Sequence, residues 1–273
     1  QKYPIRAAEL ATQEFRPLGI GIINIAYFLA KNDTSYSDPR ALGLVDRYAE
    51  AWSYYLIKAS IDLAMEKGHC SFSDQTKYHY GQFPIDTYKR EVDELAKPLY
   101  NKDWYGLRVA AGQYGIRNST LMALMPSETS SQVSNATNGI EPPRDLLSVK
   151  KSKKGTLKQI VPAYQSLKHY YTLLWDMKGN EGYVRIVAAM QKYFDQAISG
   201  NWSYNPMQFA NHEVPLSIML KDLLTTYKYG WKTSYYQNTY DMKSDDEVQL
   251  PVIVEQPIQQ TVEQEEQCDA CAI

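Results

Sequence analysis

Hydrophobic positions recur at three- and four-residue steps through much of the chain. Leu42, Val45, Tyr48, Ala49, Trp52, Tyr55 and Leu56 would share one face of a helix expected over 38–67, with Gly68 as its stop. Further helices are expected over 84–97, beginning with an Asp86 cap and carrying mixed charge, and over 103–112. The later pattern predicts helices over 161–177, 181–199 and 215–229. In the second, Val184, Val187, Met190, Phe194 and Ile198 line one face and Gly200 caps it; in the third, Pro215 opens and Gly230 closes. Residues 121–125 form a short apolar run ended by Pro126, and 231–237 follow a glycine release; both read as strands. Residues 147–161 read as a hairpin turning near Gly155.

The longest apolar run, 18–30, is too short to span a bilayer. Its Gly19-x-Gly21 spacing superficially resembles a dinucleotide loop, but the third glycine is missing, so a tight strand-to-helix turn is expected instead. At 273 residues, with 44% hydrophobic and 22% charged side chains, the chain can bury a substantial core. A net charge of −2 argues against a broad nucleic-acid footprint. With no signal pattern and only three cysteines, a cytoplasmic location and no membrane contact are expected. Beyond Lys243 there is no Lys or Arg, while acidic residues, glutamines and prolines accumulate. Such a stretch cannot bury enough apolar surface to offset its ordering entropy, so 244–273 reads as a mobile acidic tail behind a folded 1–243.

Four places carry candidate chemistry. Pro126, Ser127, Glu128, Thr129 and Ser130 lead from the first strand into a helix expected to begin at Ser130. Hydroxyls and unpartnered amides at a helix start favour a phosphate, although the same residue types also serve simply as an N-cap. Tyr235 and Tyr236 are adjacent in a chain of 23 tyrosines, which in isolation reads as strand packing. Cys268-x-x-Cys271 lacks the further ligands a zinc site needs and suits thiol–disulfide exchange on a flexible tether. Lys150, Lys151, Lys153 and Lys154 cluster at the hairpin tip, where solvation competes with steering of a nucleotide. His69 and Cys70 make too poor a set to hold a metal, and no metal site is expected.

Together, Trp104-x-x-Leu107, Gly115-Ile-Arg-Asn118, Leu121-Met-Ala-Leu-Met-Pro126-Ser-Glu-Thr-Ser-Ser-Gln132 and Asn138-Gly-Ile-Glu-Pro-Pro143 closely resemble the large subunit of class I ribonucleoside-diphosphate reductases. The resemblance implies the C-terminal portion of a ten-stranded α/β barrel with helices outside and a disordered tail. It begins in the middle of the family's length, which implies a C-terminal piece, whether a split-gene product or an excised fragment. It assigns the substrate diphosphate to Pro126, Ser127, Glu128, Thr129 and Ser130. It makes Tyr235 and Tyr236 a relay for an oxidising equivalent from the radical-generating small subunit. Neighbouring strand residues point to opposite faces, so such a relay needs a local distortion that brings the rings together.

The resemblance also gives Cys268 and Cys271 the task of re-reducing the active-site disulfide, with thioredoxin or glutaredoxin as reductant, although their spacing is shorter than in the bacterial relatives. The implied reaction is reduction of ribonucleoside diphosphates to deoxyribonucleotides. No cofactor is expected on this chain; a di-metal centre with a tyrosyl radical belongs to the small subunit. The radical cysteine, its partner thiols and the sites for ATP and deoxynucleotide effectors are expected on an N-terminal fragment, so the chain alone should be inert. Two other classes fit less well: a non-catalytic assembly or regulatory module, and a free-standing dithiol reductase.

Overall fold

The long central helix forms as its caps dictate. Pro39 takes the first turn, the Asp38 carboxylate accepts the Arg40 N–H at 2.8 Å, and Gly68 with φ 79° releases the chain. In the computed structural model, which describes residues 2–152 and 155–241, the helices are α1 (Arg6–Phe15), α2 (Ile25–Lys31), α3 (Pro39–Lys67), α4 (Pro84–Thr87), α5 (Trp104–Tyr114), α6 (Glu128–Val133), α7 (Tyr164–Leu167), α8 (Glu181–Gln191) and α9 (Leu216–Tyr229). The strands are β1 (Leu147–Ser152), β2 (Gly155–Ile160), β3 (Ser199–Tyr204) and β4 (Thr233–Thr239). No described helix is long and apolar enough to cross a membrane.

The core gathers on α8, whose Tyr183, Val184, Ile186, Val187, Ala188, Ala189 and Met190 are all buried. A helix buried on every side needs neighbours all round. It packs on α3 and α9, and α3 in turn packs on α5. Small buried residues on α3, including Ala41, Ala49, Ser53, Ser60 and Ala64, leave room for close packing. Just beyond α8, buried Lys192 forms an ion pair with buried Asp46 of α3; its ammonium also donates to Ala96 O at 2.8 Å, and the Tyr193 hydroxyl donates to Asp46 Oδ1 at 3.1 Å. The Glu50 carboxylate accepts the Trp104 indole N–H at 3.1 Å and so fastens α3 to α5.

Four extended segments lie parallel. Ile20 bridges Met122, Leu124 bridges Ile198, and β3 pairs with β4. The segment at 121–125 is therefore extended and paired as expected, but through isolated bridges and not as a regular strand. Gly19 and Gly21 serve close approach here: a Cβ on Gly21 would lie 2.8 Å from Ala123 O. The Asp195 carboxylate anchors the same segment from behind, accepting the Leu121 N–H at 2.7 Å, the Met122 N–H at 2.9 Å and the Tyr78 hydroxyl at 2.8 Å. Burial pushes the Asp195 carboxyl above the usual range, and these three bonds pull it part of the way back.

Three expected helices are broken, and the expected ten-stranded barrel is not seen as a closed barrel. Over 84–97, Asp86 caps backward onto the Phe83 N–H at 2.8 Å, extended Tyr88 ends α4, and a 3-10 turn follows at Arg90–Glu94. Over 161–177, Ala163 sits in the left-handed region at φ 50° and only α7 forms, with a 3-10 turn at Leu174–Asp176. Over 181–199, α8 stops at Gln191, because the chain turns to deliver Asp195 to the 121–122 amides and Ile198 to its bridge. The hairpin, α5 and α9 stand close to the expected places, and Gly230 closes α9 in the left-handed conformation. The expected boundary at 243 and 244, and the tail beyond it, lie outside the described residues.

Candidate functional site

The loop after Met125 is held by side chains further along. The Ser127 N–H donates to Asn138 Oδ1 at 2.8 Å, and the Gly139 N–H donates to Ser127 Oγ at 2.9 Å. Gly139 has φ 48°, which a side chain would strain. Helix α6 starts at Glu128, two residues before the expected Ser130, and Ser127 O accepts its first helical bond from the Ser131 N–H at 2.8 Å. The amides of Glu128, Thr129 and Ser130 thus precede any intrahelical acceptor and point out of the helix start. Ser127 differs from the expectation in one respect: its amide and hydroxyl already join the Asn138–Gly139 clamp, and Ser130 Oγ donates to Ser127 O at 3.1 Å.

The tyrosine pair owes its geometry to a slip in register. Gly200 pairs with Ser234, but the next pairing joins Trp202 to Gln237, so Tyr235 and Tyr236 together face Asn201 alone. That is a β-bulge, and it relaxes the strict alternation of faces. The two rings stand 4.2 Å apart between centroids at 55°, and the Tyr236 hydroxyl donates to Tyr235 Oη at 3.4 Å. That bond raises the Tyr236 phenol above its ordinary pKa. Tyr235 and Tyr236 are exposed, by 54% and 60%. Below them, Trp231 is buried and donates its indole N–H to Ile198 O at 2.7 Å.

Loop and pair share one opening. An open groove of about 640 Å³ is lined by Pro126, Ser127, Thr129, Ser130, Asn201, Tyr235 and Tyr236. A groove of about 440 Å³ beside Arg90 and Arg108, and one of about 230 Å³ beside Lys192 and Lys232, contain none of the predicted site residues. The expected Cys268 and Cys271 lie outside the described residues. Cys70 is fully buried, and burial raises its thiol pKa. Among the described residues no group of three or more His, Cys, Asp or Glu is placed to hold a metal ion. Asn201 and Asp195 were not singled out from the sequence, and Asn138 stood only in a quoted motif with no role given. Only Asn138, eleven residues after Ser127 and followed by glycine, stands near enough in sequence to have been suspected.

Chemically, the arrangement offers outward amides for an anion and two hydrogen-bonded phenols in the same opening. A phenol that loses an electron becomes strongly acidic, and the shared hydrogen bond gives its proton a place to move.

Known proteins similar in sequence to this chain all point to one family. The sequence profile described as "Ribonucleotide reductase, barrel domain" matches residues 1–237. The chain is 54% identical over 245 residues to the ribonucleoside-diphosphate reductase subunit alpha of Haemophilus influenzae, covering 90% of this chain and 32% of that protein. It is 53% identical over 245 residues to the ribonucleoside-diphosphate reductase 1 subunit alpha of Escherichia coli, with the same coverage. Against the subunit alpha of Enterobacteria phage T4 it is 45% identical over 252 residues, covering 92% of the chain and 33% of the relative. The chain thus spans about a third of the length of these relatives.

Proposed function

Because the chain belongs to the ribonucleotide reductase barrel-domain family, we propose that it supplies part of the site where ribonucleoside diphosphates are reduced to 2′-deoxyribonucleoside diphosphates. The substrate's diphosphate sits on the amides of Glu128, Thr129 and Ser130, with the Thr129 hydroxyl beside them and Ser127 holding the loop's shape. Charge-assisted bonds from several amides suit a diphosphate better than any single cation would. The observation that carries this reading is the common groove of the loop and the tyrosine pair.

Tyr235 and Tyr236 carry an oxidising equivalent across that groove. When one phenol gives up an electron to the small subunit's oxidant, its proton leaves with it. The second phenol restores the first through their shared hydrogen bond. A hydrogen atom from a cysteine thiol outside this chain then restores the second, and that thiyl radical begins the substrate chemistry. The small subunit's di-metal centre and tyrosyl radical supply the oxidant; this chain holds no cofactor of its own. Cys268 and Cys271 return electrons to the active-site thiols and draw them in turn from thioredoxin or glutaredoxin.

The parallel segments support the same division of labour. Among the described residues neither the 18–22 segment nor β4 has a further strand on its outer side. Strands from the N-terminal portion of the large subunit complete a ten-stranded barrel, and that portion also contributes the radical cysteine and the effector sites for ATP and deoxynucleotides. The complex works in the cytoplasm. The test is reconstitution: the chain mixed with its N-terminal complement and the small subunit should reduce a labelled nucleoside diphosphate, and the chain alone should not. No reduction from the full mixture, with all parts folded, would defeat the reading.

A further inference from the structure

A bulge that sets two residues against one leaves a ladder amide without its regular acceptor. Here the amide in question is that of Tyr236, and it is not orphaned: it donates to the side chain of Asn201, Oδ1, at 3.1 Å. Asn201 is the single β3 residue standing opposite Tyr235 and Tyr236 and it lines the groove beside them. The β3 backbone at this point is itself fixed. Gly200 lies so close to the Tyr183 hydroxyl and to Trp231 Cζ2, the latter 2.8 Å from where its Cβ would be, that no side chain fits there. The Trp231 indole in turn ties to Ile198 O.

We propose that Asn201 is a positioning residue for the tyrosine pair, its carboxamide oxygen standing in for the missing ladder carbonyl and holding the bulge that brings both rings to one side. This rests on the reading of the pair as a relay. Without the clamp β4 can slip back to regular alternation, which would swing one ring to the other face. Misplacing reacting groups by 1 Å can cost on the order of a hundred-fold in rate, so a bond remote from the chemistry can govern turnover. Aspartate presents an acceptor oxygen in the same position; leucine has similar bulk and none.

Two measurements test this. In the full chain, amide hydrogen exchange at Tyr236 should accelerate at least about ten-fold in Asn201→Ala and Asn201→Leu and stay slow in Asn201→Asp, with exchange at Asn238 unchanged. In the assembled reductase, Asn201→Leu should lower kcat about ten- to a hundred-fold at constant KM for the nucleoside diphosphate, and Asn201→Asp should recover most of it. Unchanged exchange at Tyr236 in both Ala and Leu variants overturns the clamp. So does unchanged kcat in Asn201→Leu when Tyr236→Phe is inactive. Full turnover in Tyr236→Phe overturns instead the relay reading, and with it the purpose assigned to Asn201.

Discussion

Around α3 and α8, buried and half-buried charges are enclosed and partnered: Lys192 with Asp46, Glu50 with Trp104, Asp195 with two amides and a phenol. On the groove face the order is reversed. There the phenols stand in solvent, the α6 amides point outward, and β4 carries no further strand among the described residues. The difference separates a closed body from an open face. Closed polar networks fix a backbone, because leaving any member unpaired is costly. Open polar groups on that fixed backbone are free to be satisfied from outside the chain. Asp195 joins the two, because it ties the body to the segment that leads into the 126–130 loop.

Breaking the open face should abolish chemistry and spare the fold. On the proposed relay, in which the phenolic O–H reacts, Tyr235→Phe or Tyr236→Phe in the assembled reductase should lower turnover by about a thousand-fold or more. Thermal unfolding and nucleoside-diphosphate binding should remain as in the unmodified protein; retained turnover would remove that residue from the relay. Replacing both Cys268 and Cys271 by Ser should halt turnover driven by thioredoxin while sparing a single turnover of prereduced enzyme.

Breaking the closed body should do the opposite. Lys192→Met strands the Asp46 carboxylate in the core, and removing one partner of a buried pair costs roughly 3–5 kcal/mol. Urea unfolding of the chain should register that loss. A smaller one would mean that water reaches Asp46.

The smallest effect is expected at the loop. Ser127→Ala with Thr129→Ala should raise the nucleoside-diphosphate concentration for half-saturation about ten-fold, the equivalent of roughly one charge-assisted hydrogen bond, with kcat little changed. An unchanged half-saturation point would remove the Thr129 hydroxyl and the Ser127 clamp from diphosphate binding.

Much of the body was legible because its signals are local. Asp38 and Pro39 announce α3, Gly68 ends it, and Gly230 ends α9 without help from distant residues. The break after α8 was not legible, because it answers to a remote partner: the chain turns so that Asp195 meets the 121–122 amides. The loop and the tyrosine pair could each be singled out by resemblance. Their meeting in one groove could not, since it depends on which strands lie side by side. The bulge is less visible still: it exists only in the pairing of β4 with β3, and nothing in the letters around Asn201 marks it as the residue that two tyrosines face.

The most direct measurement is the structure of the assembled reductase with a ribonucleoside diphosphate bound. The diphosphate should rest on the amides of Glu128, Thr129 and Ser130, in the groove that also opens onto Tyr235 and Tyr236, with both rings on one side of β4. A diphosphate seated elsewhere, or a β4 without the bulge and with its rings on opposite faces, would contradict the account.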